Sequence, residues 1–65
     1  MKLEDFLAAL KNNTAVITVK DEDDNELIKL FAPGYSQLVT SLLERVVDEV
    51  VIQNLQSIIV KLAED

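Results

Sequence analysis

A chain of 65 residues with no cysteine and no histidine has no disulfides and lacks the side chains that most often ligate transition metals or shuttle protons near neutral pH. Twelve acidic against six basic residues give a net charge of −6, which repels nucleic acid and anionic membrane surfaces. We therefore expect one small domain over residues 1–65 that is not an enzyme, uses no cofactor and binds neither nucleic acid nor a membrane directly.

The first predicted element is a helix over residues 3–11. Its apolar residues recur at the spacing of one helical stripe: Leu3, Phe6, Leu7 and Leu10. Lys11 is expected in the last turn, where its charge matches the helix dipole. Asn12 and Asn13 then end the helix, because asparagine tolerates the left-handed backbone conformation found there.

A β-hairpin is predicted next. Residues 14–20 alternate with period two, so Ala15, Ile17 and Val19 share one face while Thr14, Val16, Thr18 and Lys20 share the other. Residues 27–31 form a second apolar stretch, and the polar segment 21–26 links the two strands. The hairpin ends at Ala32-Pro33-Gly34, because proline lacks the backbone N–H that a strand ladder needs.

The middle of the chain predicts a second helix over residues 36–47, with Ser36 as its cap. Its apolar positions recur every three or four residues: Leu38, Val39, Leu42, Leu43, Val46 and Val47. Arg45 is expected to pair with Glu49 or with the neighbours of Glu44 across a helical turn.

The last third of the sequence supports two interpretations. Val51, Leu55, Ile58 and Leu62 have helical spacing, so the second helix running on through residues 50–55 is one of them. The residue types favour the other, because Val50-Val51-Ile52 and Ile58-Ile59-Val60 are β-branched triplets with a polar link of hairpin length between them. We predict strands at 50–52 and 58–60.

These elements give an α+β fold in the order α-β-β-α-β-β, with two hairpins in one four-stranded antiparallel sheet and both helices on a single face. The last two strands are apolar at consecutive positions and so present aliphatic side chains to both sides of the sheet. A homodimer or another protein is expected to cover the second face; the alternative is that the helices wrap both sides. The candidate partner-binding residues are Val50, Ile52, Ile58, Val60 and the loop aromatic Tyr35.

The acidic segment contains the spacing Asp21-x-Asp23-x-Asn25, which is the start of an EF-hand calcium loop. The loop is incomplete, because its sixth position is Glu26 instead of glycine and its twelfth is Ala32 instead of glutamate. A solvated turn is the favoured interpretation, and we expect no metal site.

The same carboxylates support an alternative function, an acidic mimic that occupies the nucleic-acid groove of a DNA- or RNA-binding protein. The residues concerned are Asp21, Glu22, Asp23, Asp24 and Glu26, with Glu44, Asp48 and Glu49 adding to them. This function needs the carboxylates in rows on one face, and carboxylates spread among lysines would count against it.

The amino terminus is acidic where a secretory signal would be basic, and no apolar run approaches the roughly 20 residues of a membrane span, so we expect a cytoplasmic protein.

The sequence resembles small proteins encoded by phages, prophages and conjugative elements of Gram-positive bacteria. The resemblance lies in the opening Lys2-Leu3-Glu4-Asp5-Phe6-Leu7, the strand Asn13 to Val19 and the closing Ile58-Ile59-Val60-Lys61-Leu62. The second helix is longer than that pattern usually has. The layout is also similar to small acidic anti-CRISPR inhibitors. Because the sequence offers no catalytic constellation and its last strands are aliphatic on both sides, we expect a small non-catalytic protein–protein interaction module, with a homodimer as one form of it. The resemblance implies that it is of phage or mobile-element type.

Overall fold

Within residues 1–10 and 12–64, which this computed structural model describes, four strands and three short helical segments follow one another. Their bounds in chain order are α1 (Leu3–Ala9), β1 (Val16–Lys20), β2 (Glu26–Phe31), a 3-10 helix (Ala32–Gln37), α2 (Thr40–Leu43), β3 (Val47–Asn54) and β4 (Ser57–Leu62). The expected end of the first helix at Lys11 lies outside the described residues; α1 itself ends at Ala9, with Leu10 as its C-cap.

The strands form one sheet in the order β2-β1-β4-β3, and the sheet is mixed. Each hairpin is antiparallel, as predicted, but the two hairpins join through a parallel pair, β1 and β4, so the prediction of a purely antiparallel sheet is wrong. The connection between the hairpins explains the difference. Phe31 ends β2 beside Val16 at one end of the sheet, whereas Val47 begins β3 beside Leu62 at the other end. Residues 32–46 therefore cross from one end of the sheet to the other, so β2 and β3 run in the same direction. Because each of these strands is antiparallel to its hairpin partner, the partners β1 and β4 are parallel to each other.

The predicted second helix over residues 36–47 is replaced by two shorter segments. Pro33 lies in the first turn of the 3-10 helix, where its missing N–H costs nothing, and Ser36 lies inside that helix instead of capping a new one. Leu38 and Val39 then have extended backbones, with ψ of 153° and 143°, and separate the 3-10 helix from α2. The apolar spacing predicts the buried side chains of this segment only in part, because Val39 belongs to the apolar set and is 65% exposed.

The last third forms strands, as predicted, and not a continued helix. Both strands are longer than the β-branched triplets, since β3 runs over Val47–Asn54 and β4 over Ser57–Leu62, with a tight turn at residues 55–56. Irregularities in the ladder follow Val47 and Ile52, so the regular part of the β3–β4 pairing spans residues 49–52.

The helices and the core lie on one face of the sheet, which we call the helix face. Its buried residues come from all the helical segments and from the central strands: Leu3, Leu7, Ala15, Ile17, Val19, Ala32, Leu43, Ile58, Val60 and Leu62. Because side chains alternate along a strand, Val16, Thr18, Ile59 and Val51 point to the opposite side, which we call the open face. Within the described residues, no helix is long and apolar enough to cross a membrane.

Candidate interaction surface

The strand β3 lies at an edge of the sheet and is exposed along nearly its whole length. Among the strands of the described residues, β4 is its one neighbour. Its central residues Val50, Val51 and Ile52 are 38%, 42% and 70% exposed, and Leu55 in the following turn is 95% exposed. An edge strand with consecutive exposed aliphatic residues is a typical site for pairing with another chain.

The exposed aliphatic side chains of β3 lie on both faces of the sheet. Val50 and Ile52 stand opposite the buried residues Val60 and Ile58, which places them on the helix face. Val51 stands opposite Ile59 on the open face. The helices therefore cover the sheet centre and leave the β3 edge uncovered from both sides.

The backbone hydrogen bonds indicate which groups of β3 face solvent. The N–H of Val16 donates to the carbonyl oxygen of Gln56 at 2.8 Å, so β4 directs its even-numbered residues toward β1. Ile59 and its odd-numbered neighbours then bond toward β3, where Val51 is the partner of Ile59. The backbone N–H and C=O groups of Val50 and Ile52 consequently point away from the sheet, at its open edge.

The beginning of β3 is covered by the amino terminus. The N–H of Val47 donates to the carbonyl oxygen of Met1 at 2.7 Å, and Lys2 forms an antiparallel bridge with Val46. The open part of the edge therefore follows Val47.

The opposite edge of the sheet, β2, is more strongly guarded. Lys29 interrupts its apolar residues and pairs with Glu26 at 3.7 Å. A lysine in an edge strand discourages strand addition because pairing would desolvate its charge. The centre of β3 carries no charged residue, and its two carboxylates, Asp48 and Glu49, lie near its start.

The structure separates the sequence-predicted partner-binding residues. Val50 and Ile52 are accessible, whereas Ile58 and Val60 are 7% and 0% exposed in the chain's own core, where a partner does not reach them in this fold. Both strands are apolar in the sequence, but it is β4, lying between β1 and β3, that has its even-numbered side chains buried, whereas β3 at the edge has none. Tyr35 is half-buried and packs against the core from the 3-10 helix.

Two further exposed residues of this surface, Val51 and Leu55, were missed by the sequence reasoning. Val51 sits in the middle of its apolar triplet, so the period-two alternation that placed Val50 and Ile52 on one face also placed it on the other. Leu55 lies in a stretch that the sequence predicts as a polar link, and its helical spacing with Val51, Ile58 and Leu62 belongs to the continued helix, which the chain does not form.

The acidic segment forms the tight turn of the first hairpin. Asp21 Oδ1 accepts hydrogen bonds from the backbone N–H groups of Asp23 and Asn25, both at 2.9 Å, and Oδ2 accepts from Asn25 Nδ2 at 3.2 Å. The hydrogen bond from the Asn25 backbone is the main reason that the pKa of Asp21 is lowered. The calcium-like spacing thus serves the turn itself, and among the described residues no three acidic, histidine or cysteine side chains are placed to hold a metal ion.

Three of the five hairpin carboxylates are paired with cations. Glu22 lies 3.2 Å from Arg45, Asp24 lies 3.2 Å from Lys61, and Glu26 pairs with Lys29. The hydrogen bond from Lys61 to Asp24 raises the pKa of the lysine. The sequence predicts that Arg45 pairs with Glu49 or with the neighbours of Glu44 across a helical turn, but α2 ends at Leu43, and the guanidinium reaches the hairpin instead.

Comparisons with known protein families, with curated proteins and with solved structures find no match for this chain.

Proposed function

We propose that this chain is a small non-catalytic interaction module that binds protein by strand addition at the β3 edge. The observation that carries this proposal is the combination at residues 50–52 of outward-pointing backbone groups with exposed aliphatic side chains on both faces. Strand addition uses both, since the backbone gives affinity and the alternating side chains give specificity.

Strand addition accounts for the exposure better than docking of a partner onto one face. A partner stacked on the open face would cover Val51 and leave Val50 and Ile52 in water, and a partner on the helix face would do the reverse. A strand added at the edge brings cross-strand neighbours to both faces at once. It also satisfies the unpaired N–H and C=O groups of Val50 and Ile52.

The acidic-mimic alternative receives less support from the charges. Phosphate surrogates need to be accessible to the arginines and lysines of a nucleic-acid groove. Glu22, Asp24 and Glu26 already pair with cations of this chain, and the Asp21 carboxylate accepts hydrogen bonds from its own turn. The chain has a net negative charge, but these carboxylates lie among lysines and an arginine.

The proposal is tested by photo-crosslinking from the end of β3. Leu55 is replaced by the photo-crosslinking residue p-benzoylphenylalanine, and the matched control carries the same residue at Val39, which is also exposed but lines a shallow cleft with Leu27 of the opposite edge strand. Irradiation is carried out on the purified protein and in lysate of the expressing cells, and adducts are identified by mass spectrometry. We expect adducts from position 55 and none of the same mass from position 39.

A second variant distinguishes strand addition from general stickiness. Ile52→Pro removes an N–H that points to the open edge and preserves the ladder to β4, because proline is tolerated in an edge strand where its missing donor faces solvent. We expect this change to abolish the adducts from position 55 while the circular dichroism spectrum stays that of the parent. Adducts that survive Ile52→Pro, or none from position 55, would contradict the proposed function.

A further inference from the structure

We infer that the strand added at β3 is the β3 of a second copy of this chain, antiparallel, with Val51 on the two-fold axis. This inference rests on the proposed function and names its partner. The resulting dimer would have one continuous eight-stranded sheet, with the helices of both copies on the same side.

The side chains of β3 select the antiparallel direction. In a parallel, in-register pair, Asp48 and Glu49 would each face the same residue of the other copy, and like charges directly opposite destabilise a sheet. In an antiparallel pair with Glu49 on the two-fold axis, the two copies of Glu49 would face each other and repel in the same way. Centring on Val50 instead would place Asp48 and Glu49 opposite aliphatic residues.

Centring on Val51 avoids these conflicts. Val51 then faces Val51 of the second copy, and Val50 faces Ile52 on either side of the axis. At the two irregularities that flank this centre, the two carboxylates come near two amides, with Glu49 on the level of Gln53 and Asp48 on the level of Asn54. Each face of the pair is therefore aliphatic at its centre and polar at its ends.

The amides are prepared to donate to these carboxylates. Gln53 Oε1 accepts a hydrogen bond from Ser57 Oγ at 2.9 Å, and Asn54 Oδ1 accepts one from the backbone N–H of Gln56 at 2.8 Å. The amide oxygens are thus engaged within the chain and the amide nitrogens remain as donors. An ionised carboxylate accepts hydrogen bonds only, so it is the complementary group.

The backbone independently favours the same register. The outward N–H and C=O groups of β3 belong to Val50 and Ile52, and the Val51-centred register sets Val50 opposite Ile52 twice, once on each side of the axis. Two opposite residues whose backbone N–H and C=O groups point toward each other's strand form a hydrogen-bonded pair. The dimer would therefore gain four backbone hydrogen bonds without disturbing the ladder between β3 and β4.

The area available indicates a weak or moderate dimer. One strand from each copy buries less than the roughly 1,600 Å² of a standard stable interface, so we expect half-association at roughly 1–100 μM. The net charge of −6 on each copy adds repulsion, which salt screens. The measurement therefore uses about 0.15 M and higher salt, where the Debye length is about 8 Å or less.

The test exploits the position of Val51 on the axis. Val51→Lys and Val51→Glu each place two like charges opposite each other in the dimer, and we expect each to weaken self-association at least about tenfold. A one-to-one mixture of the two variants places lysine opposite glutamate and should restore association. Sedimentation velocity over a dilution series measures all three samples and the parent chain. Leu27→Lys and Leu27→Glu are matched controls, since Leu27 is 43% exposed on the other edge strand and Val51 is 42% exposed.

Four results would overturn the inference: a parent chain that stays monomeric at about 1 mM; a dimer that persists in both Val51 variants; a mixture that remains monomeric; and an equal effect of the Leu27 changes. If a Val51 variant fails to fold, Ile52→Pro replaces it, since it removes two of the four intersubunit donors and should also dissociate the dimer. The crosslinks from position 55 separate the two proposals. Adducts with a different protein that are lost in Ile52→Pro would support the interaction module and exclude a second copy of this chain as its partner. Adducts of two identical chains would support both proposals.

Discussion

Nη2 of Arg45 lies 3.2 Å from Oε2 of Glu22, a residue 23 positions earlier in the chain. The same nitrogen donates to the carbonyl oxygen of Ala63 at 3.0 Å, and the Arg45 carbonyl accepts from the N–H of Leu3 at 2.8 Å. Arg45 therefore connects the acidic hairpin, the segment after β4 and the start of α1, just before β3 begins. Its Nε atom is buried with no hydrogen-bond partner among residues 1–10 and 12–64, so the contacts of Nη2 must offset that desolvation.

Arg45→Ala should lower the free energy of unfolding by about 1–2 kcal/mol, because it removes two hydrogen bonds of a largely buried guanidinium. Glu22→Gln should cost less than about 1 kcal/mol, since it leaves the bond to Ala63 intact and Glu22 is partly exposed. Urea unfolding followed by circular dichroism measures both. A loss from Glu22→Gln as large as that from Arg45→Ala would show that the ion pair, and not the contact with Ala63, is the main contribution.

Val60→Ala tests the assignment of the β4 faces. Val60 is fully buried between Val19 and Val50 in the register of the sheet, so losing two methyl groups should cost about 2 kcal/mol. Leu55→Ala is the control: Leu55 is almost fully exposed, and its loss should change the free energy of unfolding by less than about 0.5 kcal/mol. Equal effects in urea unfolding would mean that Val60 does not belong to the core.

The parts of the fold that were predicted correctly depend on local signals. The alternation of Ala15, Ile17 and Val19 predicts the buried face of β1 because strand side chains repeat every two residues. The polar segment 21–26 predicts the hairpin because its residues favour turns. The exposed Val50 and Ile52 of the candidate surface follow from the excess of aliphatic residues in the last two strands.

The parts that were missed depend on contacts between distant residues. Whether β1 runs parallel or antiparallel to β4 is decided by the path of residues 32–46 across the sheet, which has no local signal. The segment around Leu38 and Val39 has helical spacing, but Pro33 starts a 3-10 helix early and the chain must then extend to reach the far end of the sheet. The outward direction of the Val50 and Ile52 backbones likewise depends on the pairing of β4 with β1.

Asp21 should make the hairpin sensitive to acid. Its pKa is lowered in the folded chain, chiefly by the hydrogen bond from the Asn25 backbone, so its contribution to stability is full above its ordinary pKa of 3.8 and is lost as the pH falls through the lowered folded value. Asp21→Asn preserves an acceptor oxygen but cannot ionise. We expect it to be less stable than the parent at pH 7 and this difference to shrink as the pH falls below 3.8, by urea unfolding over that range. Asp23→Asn is the control, and a difference between Asp21→Asn and the parent that is independent of pH would contradict this role.

Gly34→Ala should stabilise the chain, although a glycine after proline usually marks a turn that other residues avoid. Gly34 does not have a positive φ, it lies inside the 3-10 helix, and a Cβ added there would meet nothing within 4 Å. Alanine restricts the unfolded chain more than glycine does, which is worth about 0.4–1 kcal/mol where the folded conformation permits it. For a domain of this size that gain raises the melting temperature by roughly 2–8 °C.

Asp24→Ala should act in the opposite direction. Asp24 has φ of 66°, a left-handed conformation that alanine tolerates poorly. Its carboxylate also pairs with Lys61, and alanine removes that ion pair. Differential scanning calorimetry of the two variants beside the parent decides the matter, and a lower melting temperature for Gly34→Ala would mean that the 3-10 helix needs the freedom of glycine.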